Sequence, residues 1–196
     1  MTSSLLFALI SFAFVTSVTP GPNNLMLMAS GANFGLRRTV PHMLGISIGH
    51  SVMVFAVGMG LGAVLEAVPG VKGALKLAAV GYMLWLAWKI AHAAAPGEGK
   101  LAARPFSFVQ AAAFQWVNPK AWAMALGAIS AYSDGSFWTV VTVCVVFAAV
   151  NLPSVSLWAW AGQRLRLWLR DPRRWTAFNW TMAGLLVLSL AMVIEV

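Results

Sequence analysis

Two groups of helix-breaking and polar residues interrupt long apolar stretches of this sequence. The first is the run Thr19-Pro20-Gly21-Pro22-Asn23-Asn24, and the second is Asn118-Pro119-Lys120. Proline has no N–H, so each proline deprives the carbonyl group four residues earlier of its helical hydrogen bond. The two groups lie about half the chain apart. They predict two broken helices at corresponding positions.

The unpaired backbone groups of these breaks have a definite chemistry. The carbonyls of Thr16, Val18 and Gln115 lose their donors and could hold an ammonium group. After the first break a half-helix is expected with Thr19 as its N-cap, and its free N–H groups and positive dipole end favour a carboxylate. Such a site suits a zwitterionic amino acid. A simple proline kink is the alternative, which the pairing of the breaks disfavours. The expected substrate path comprises Thr19, Pro20, Gly21, Pro22, Asn23, Asn24, Asn118, Pro119 and Lys120.

Further polar side chains lie inside other apolar stretches. Asn151, Pro153 and Ser154 interrupt the fifth stretch, and they either line the substrate path or form hydrogen bonds between helices. His50 lies deep in the second stretch, about 12 Å along a helix from His42, which is expected at the membrane interface. His50 is either a packing residue or a group that handles the coupling proton.

Lys120 is the one formal charge deep inside a predicted span. A charge near the middle of a membrane costs roughly 2.5–3.5 kcal/mol on insertion scales, so its ammonium should face a cavity or a partner. The alternatives are a partner for a substrate carboxylate, a proton-coupled amine, a contact with free carbonyls near Pro119, or an ammonium that extends toward the outer interface.

The elements that carry these residues are membrane helices. The chain has 196 residues, of which 60% are hydrophobic and 9% charged, with a mean hydropathy of +0.80, whereas soluble domains carry roughly 25% charged residues. Six continuous apolar stretches reach the roughly 20 residues that span a bilayer as helix. They are 4–30, 39–65, 71–91, 107–131, 137–162 and 176–194. We therefore predict an all-α integral membrane protein with one transmembrane domain, residues 1–196.

The basic residues predict the orientation of these spans. Loops one, three and five carry Arg37, Arg38, Lys89, Lys100, Arg104, Arg164, Arg166, Arg170, Arg173 and Arg174. The opposite side carries Lys72 and Lys76. The positive-inside rule then places the odd loops in the cytoplasm and both termini outside. Three spans in each half, entering from opposite sides, form a 3+3 inverted repeat with broken helices 1 and 4.

Composition also excludes several classes of protein. Cys144 is the single cysteine, which disfavours a membrane redox protein. The five acidic residues are too scattered for a metal cage, which disfavours an exporter of divalent cations, and no phosphate-binding P-loop is present. Export of another small solute and a purely structural role stay as alternatives. We expect no cofactor and no metal.

Two features bear on partners. The basic segment 164–175 interleaves arginine, leucine and tryptophan, which suits anionic membrane lipid rather than nucleic acid. Gly45 and Gly49, and then Gly58 and Gly62, recur at four-residue spacing in the second stretch. They predict tight helix packing, or the contact of a homodimer.

These motifs together resemble those of the LysE/RhtB family of amino-acid exporters. The similar segments are the run from Thr19 to Arg38, the run from Pro41 to Ile46, Asn118-Pro-Lys-Ala-Trp122 and Asn151-x-Pro153-Ser154. The resemblance spans nearly the whole chain. It implies a secondary active exporter in the bacterial inner membrane that carries amino acids or close derivatives in exchange for protons. The substrate is not specified by it.

Overall fold

The computed structural model describes residues 1–68, 70–93, 104–166 and 168–190, and within these ranges it contains helices and no strand. Lys100 of the third loop and the last residues of the sixth stretch lie outside the described residues. The α-helices are α1 Ser3–Val18, α2 Pro22–Phe34, α3 Leu36–Ala56, α4 Gly62–Ala67, α5 Val71–Ala91, α6 Phe108–Phe114, α7 Pro119–Tyr132, α8 Phe137–Leu165 and α9 Pro172–Leu188.

Three of these described helical segments are long and apolar enough to cross a membrane, namely Leu36–Val64, Gly73–Ala91 and Phe137–Leu165. The first joins α3 to α4 through a π-helical turn at Val57–Leu61, where Gly60 has φ 102°. The bent pair α1 and α2, at 54°, passes the same test together. The all-α membrane class is thus confirmed. The number of six spans stays a prediction, because α6 and α9 have 7 and 17 residues.

Large apolar side chains cover the outside of the helix bundle. Phe7, Leu77 and Trp138 are each more than 70% exposed, a distribution that suits contact with lipid rather than water. Inside, Leu9 of α1, Met53 of α3, Ala125 of α7 and Phe147 of α8 are fully buried in one apolar cluster. This cluster holds together α1, α3, α7 and α8, four of the helices whose polar residues form the site.

The helices pack in a reciprocal pattern across the two halves of the chain. The first broken pair, α1 and α2, lies against α8, and the second, α6 and α7, lies against α3. The long helices α3 and α8 contact each other, as do α5 and α9. Each broken helix is therefore supported by a long helix from the other half.

Glycines allow the closest of these contacts. A Cβ on Gly31 of α2 would overlap the backbone of Ala159, and one on Gly162 of α8 would overlap the carbonyl of Met28. A Cβ on Gly49 would lie 2.6 Å from Cα of Ala112 in α6. The prediction of tight packing at Gly45 and Gly49 is confirmed. We call the α2–α8 contact the glycine seam.

One predicted interruption does not break its helix. The helix α8 is continuous from Phe137 to Leu165 with Pro153 inside it, and Pro153 is exposed on its outer face. A single proline removes only one helical hydrogen bond, and membrane helices tolerate this loss. The first break contains two prolines separated by Gly21, and there the helix ends.

Candidate functional site

The first break separates α1 from α2 by three residues. Thr19 is extended at φ −65° and ψ 148°, and it ends α1 by donating its N–H to the carbonyl of Val15 at 3.1 Å. Gly21, which is also extended, is the N-cap of α2, and Pro22 is its first residue. The expected N-cap at Thr19 is therefore wrong. Either proline could be the first residue of a helix, and Pro22 is the one that starts α2.

The carbonyls freed by proline are paired within the protein. Thr16 O accepts from the hydroxyl of Thr19 at 3.1 Å, and Val18 O accepts from the indole N–H of Trp158 at 3.0 Å. At the second break Gln115 O accepts from the N–H of Asn118 at 3.2 Å. Each of these carbonyls therefore has one donor within the protein, from α8 or from the breaks themselves. A carbonyl oxygen has two lone pairs, so the expected contact of these three carbonyls with a ligand stays a prediction.

The asparagines of the first break connect it to the end of α1 and to the second break. Asn24 donates from its amide to the carbonyls of Ser17 and Thr19, both at 2.8 Å. Asn23 exchanges two hydrogen bonds with the buried side chain of Gln115, at 2.8 and 3.1 Å. Asn24 thus closes the first break, and Asn23 connects it to the second.

The second break is shorter and more buried. A 3₁₀ turn at Gln115–Val117 leads to Asn118, which has φ −91° and ψ 108°. The Asn118 side chain caps α7 by accepting from the N–H of Lys120 at 3.2 Å, and Pro119 is the first residue of α7. This break satisfies its own backbone groups.

The ammonium of Lys120 joins the two breaks. Its Nζ donates to the carbonyl of Thr19 at 2.8 Å, to the hydroxyl of Thr19 at 2.9 Å and to the carbonyl of Pro20 at 3.2 Å. A lysine ammonium has three donors, so all are used. Lys120 does contact backbone carbonyls, but they belong to the first break and not to the region of Pro119.

A cavity lies where these breaks meet α3 and α8. About 320 Å³ of space that no atom fills lies there, a figure that includes the solvent at the open side of the cavity. Its lining residues are Thr16, Ser17, Gly21, Asn23, Asn24, His50, Asn118, Lys120, Ala121, Met124, Asn151 and Val155.

Two buried polar atoms of the cavity wall have no hydrogen-bond partner. They are Nε2 of His50 and Oδ1 of Asn151, on side chains that are 2% and 4% exposed. The amide of Asn151 also donates to the hydroxyl of Ser17 at 3.2 Å, and the His50 ring packs edge-on against Phe147. Buried polar atoms are nearly always paired in native proteins. These two atoms therefore lack a partner within the protein, on side chains that line the cavity.

Comparison with known proteins agrees with this architecture. The family model described as LysE type translocator matches residues 14–195. The chain belongs to the LysE type translocator family. The cysteine/O-acetylserine efflux proteins of Escherichia coli (strain K12) and Shigella sonnei (strain Ss046) are 33% identical to it over 193 residues, 95% of this chain and 96% of each relative. That of Klebsiella pneumoniae is 30% identical over 192 residues, 95% of both chains.

No solved structure matches this LysE type translocator. The family match and its efflux-protein relatives make the chain a membrane transporter of the amino-acid efflux type, and not an enzyme. The resemblance noted from the sequence motifs is thereby confirmed.

About half of the residues predicted for the site line the translocator's cavity. Seven of the predicted residues line it, namely Gly21, Asn23, Asn24, His50, Asn118, Lys120 and Asn151. Thr19 and Pro20 contribute oxygens to the Lys120 ammonium. Pro22, Pro119, Pro153 and Ser154 are not among the lining residues, and Ser154 donates its hydroxyl to the carbonyl of Val150 at 2.8 Å within α8.

Sequence reasoning missed part of the lining. Thr16 and Ser17 precede the first break by one turn, and their hydroxyls in an otherwise apolar helix were the available signal. Ala121, Met124 and Val155 form an apolar part of the lining, and no signal in the sequence marked them as site residues. His42 is 2% exposed and packs against the ring of Phe106, so it lies inside the protein. Its expected depth at the membrane interface stays a prediction.

The electrostatics of the cavity are one-sided. Lys120 is the only formally charged residue in its lining, and none of the lining residues is acidic. Among the residues that the structure describes, no three His, Cys, Asp or Glu side chains come together as metal ligands. The C-terminal end of α1 and the N-terminal end of α2 add partial negative and positive charge on either side of the break.

Proposed function

We propose that this chain is a secondary active exporter of small polar amino acids, with cysteine and O-acetylserine, which its relatives are named for, as the first candidates. The observation that carries the proposal is the cavity at the two breaks. Its wall combines the Lys120 ammonium with two unpartnered polar atoms, and no lining residue is acidic. This combination favours a small ligand that brings its own carboxylate.

The parts of such a substrate each have a partner in the wall. Lys120 and the positive end of α2 attract the carboxylate. Nε2 of His50 and Oδ1 of Asn151 suit a thiol or an ester group, and Met124 and Val155 suit the methylene that carries it. The enclosed part of the cavity is small, so we propose that large amino acids are excluded.

The topology of the exporter is part of the proposal. We infer six spans in a 3+3 inverted repeat, with α6 and α7 as one broken span and α9 as the last. The support is the reciprocal packing of each broken helix on the long helix of the other half, which a two-fold repeat requires. The bias of basic residues toward the odd loops then supports a bacterial inner-membrane location with both termini in the periplasm.

Proton exchange is the proposed energy source. His50 is the first candidate to carry the proton, because it is buried in the cavity wall and its Nε2 is unpaired. Substrate and proton would then meet the same residue during the transport cycle. Lys120 is the second candidate, since its ammonium is the only charge in the lining.

Membrane lipid and the substrate are the proposed partners, and nucleic acid is not. Three cations lie over tryptophan rings on the predicted cytoplasmic side, with Lys89 5.0 Å from Trp85, Arg164 5.2 Å from Trp160 and Arg174 4.9 Å from Trp168. Such pairs suit the headgroup region. Gly45 and Gly49 pack against α6 of the same chain, so a homodimer would have to use another surface.

Uptake into inverted membrane vesicles tests the function. An exporter should accumulate radiolabelled cysteine in such vesicles when a proton gradient is imposed, and a protonophore should abolish the uptake. Unlabelled O-acetylserine and serine should compete, whereas lysine and tryptophan should not. Uptake that no amino acid inhibits, or none above vesicles without the protein, would contradict the proposal. A variant with His50→Phe should lose the dependence on the gradient.

A further inference from the structure

The ammonium of Lys120 occupies a site with the chemistry that the ammonium of an amino acid requires. Its three acceptors are two carbonyl oxygens and one hydroxyl at 2.8 to 3.2 Å, all from Thr19 and Pro20. None of these oxygens carries a formal charge. Any primary ammonium that reaches this ring of oxygens can make the same three hydrogen bonds.

We propose that Lys120 is a resident stand-in for the ammonium group of the substrate. In the empty exporter the Lys120 ammonium donates hydrogen bonds to the oxygens of Thr19 and Pro20. When an amino acid enters, its own ammonium takes these oxygens, and the displaced Lys120 ammonium pairs with the carboxylate of the same molecule. The inference rests on the proposed function and assigns the substrate class as α-amino acids, which carry the ammonium and the carboxylate on the same carbon.

The surroundings of Lys120 allow this exchange. Gly21 lies directly beneath the side chain, and a Cβ there would be 2.7 Å from Cδ and 3.1 Å from Nζ of Lys120. Gly21 has φ 176°, a conformation open to any residue, so the absence of a side chain matters here for space. The lysine side chain is flexible, and no acidic residue of the lining holds it in place.

The exchange also balances charge. Before binding, the site contains one ammonium on neutral oxygens. After binding, it contains two ammonium groups and one carboxylate, so its net charge is unchanged. An amine without a carboxylate would add a second positive charge. A carboxylate without an ammonium would cost the oxygens of Thr19 and Pro20 the three hydrogen bonds from Lys120 once Lys120 turned to it. The exporter therefore selects zwitterions without a fixed acidic residue.

Binding of cysteine and its two half-molecules to the purified protein tests the inference. Cysteamine retains the ammonium and lacks the carboxylate, whereas 3-mercaptopropionate retains the carboxylate and lacks the ammonium. In Lys120→Met the ring of oxygens is free, so cysteamine should bind about tenfold more tightly than to the wild type. Because the cation is lost, 3-mercaptopropionate should bind about tenfold more weakly. Lys89→Met, which removes a lysine distant from the cavity, should change neither affinity.

A second variant keeps the inference testable if Lys120→Met alone perturbs the protein. Thr19→Val removes one of the three oxygens and keeps a β-branched side chain of similar shape. In the Lys120→Met background it should weaken cysteamine binding and leave 3-mercaptopropionate unchanged. Weaker binding of both half-molecules to Lys120→Met would overturn the exchange and leave a structural role for Lys120. If wild-type protein binds neither cysteine nor O-acetylserine, the proposed function itself fails, which is a different outcome.

Discussion

The two helix breaks resemble each other in sequence but have opposite chemical roles in the site. The first leaves Thr19 and Pro20 exposed, with carbonyls that depend on donors from elsewhere in the chain. The second is buried, with Asn118 and Gln115 at 1% and 0% exposure, and its turn and cap satisfy its own backbone. The first break supplies acceptors, and the second supplies the lysine that occupies them.

This difference indicates that paired breaks need not be equivalent sites. Each helix break is a place where backbone groups can be exposed. Here the second break is closed by a 3₁₀ turn and an asparagine cap, so the cavity between the breaks is asymmetric. A substrate with two unlike ends, one cationic and one anionic, fits an asymmetric cavity better than a symmetric one.

Removing the prolines should distinguish the breaks most strongly. In Pro20→Ala with Pro22→Ala, α1 and α2 can join into one helix, because the missing N–H groups return. The ring of oxygens is then lost, and we expect export to fall to background while the protein still inserts. Pro119→Ala should leave export near the wild-type level, since a first helical residue needs no helical donor and Asn118 still caps α7. Vesicle uptake at equal membrane abundance measures both, and equal losses would contradict the asymmetry.

Substitution of Lys120 should have the next largest effect. Lys120→Met should abolish export of a zwitterion, because the carboxylate loses its partner. Lys120→Arg keeps the charge, but a planar guanidinium cannot place three donors as an ammonium does, so partial export is expected. A guanidinium also stays protonated, so any pH dependence due to Lys120 should vanish in this variant. Wild-type rates and pH profile in Lys120→Met would remove Lys120 from the mechanism.

The glycines that support the two breaks should differ in sensitivity. Gly162→Ala places a methyl group against the carbonyl of Met28 in the glycine seam, and Gly49→Ala places one 2.6 Å from Cα of Ala112. Overpacking of this kind costs roughly 1–3 kcal/mol, and Gly162→Ala should be at the upper end. Gly184→Ala is the matched control, because nothing lies within 4 Å of a Cβ there. Thermal unfolding in detergent measures the order of stability of the three variants. A Gly162→Ala variant more stable than Gly49→Ala would contradict the prediction.

The smallest effect is expected outside both breaks, in the loop before α8. A hydrogen bond from the hydroxyl of Thr139 and others from Ser136 hold the pKa of Asp134 at about 2, below its usual 3.8. The stabilising contribution of this carboxylate is therefore complete above pH 3.8 and is lost as the pH falls through about 2. Asp134→Asn should slightly lower thermal stability at neutral pH, which thermal unfolding in detergent measures. It should leave the pH profile of export unchanged, which vesicle uptake at several pH values measures.

The breaks were predictable because their causes are local. Two prolines flanking a glycine end a helix wherever they occur, and the break lies where the sequence places it. The choice between Thr19 and Gly21 as N-cap was not predictable in the same way, since it depends on which of two prolines starts α2. Pro153 shows the limit of the rule, because one proline on an outer face leaves α8 intact.

The partners across the cavity were not predictable from sequence. Lys120 and Thr19 are 101 residues apart, and Asn23 and Gln115 are 92 apart, so only the packing of α1, α2 and α7 brings them together. A contact of Lys120 with backbone carbonyls was one of several alternatives that the sequence left open, and the choice of carbonyls depended on tertiary structure. The packing of His42 against the ring of Phe106 also depends on tertiary structure.

The glycine seam has a consequence for protein engineering. Where α2 and α8 touch at Gly31 and Gly162, no side chain separates their backbones, so shortening a residue there gains no space. Met124 of α7 lines the cavity, and its side chain is buried. Redesign toward larger exported molecules should therefore start by shortening Met124 and leave the seam untouched, because Met124 contributes side-chain volume to the lining and the seam has none to remove.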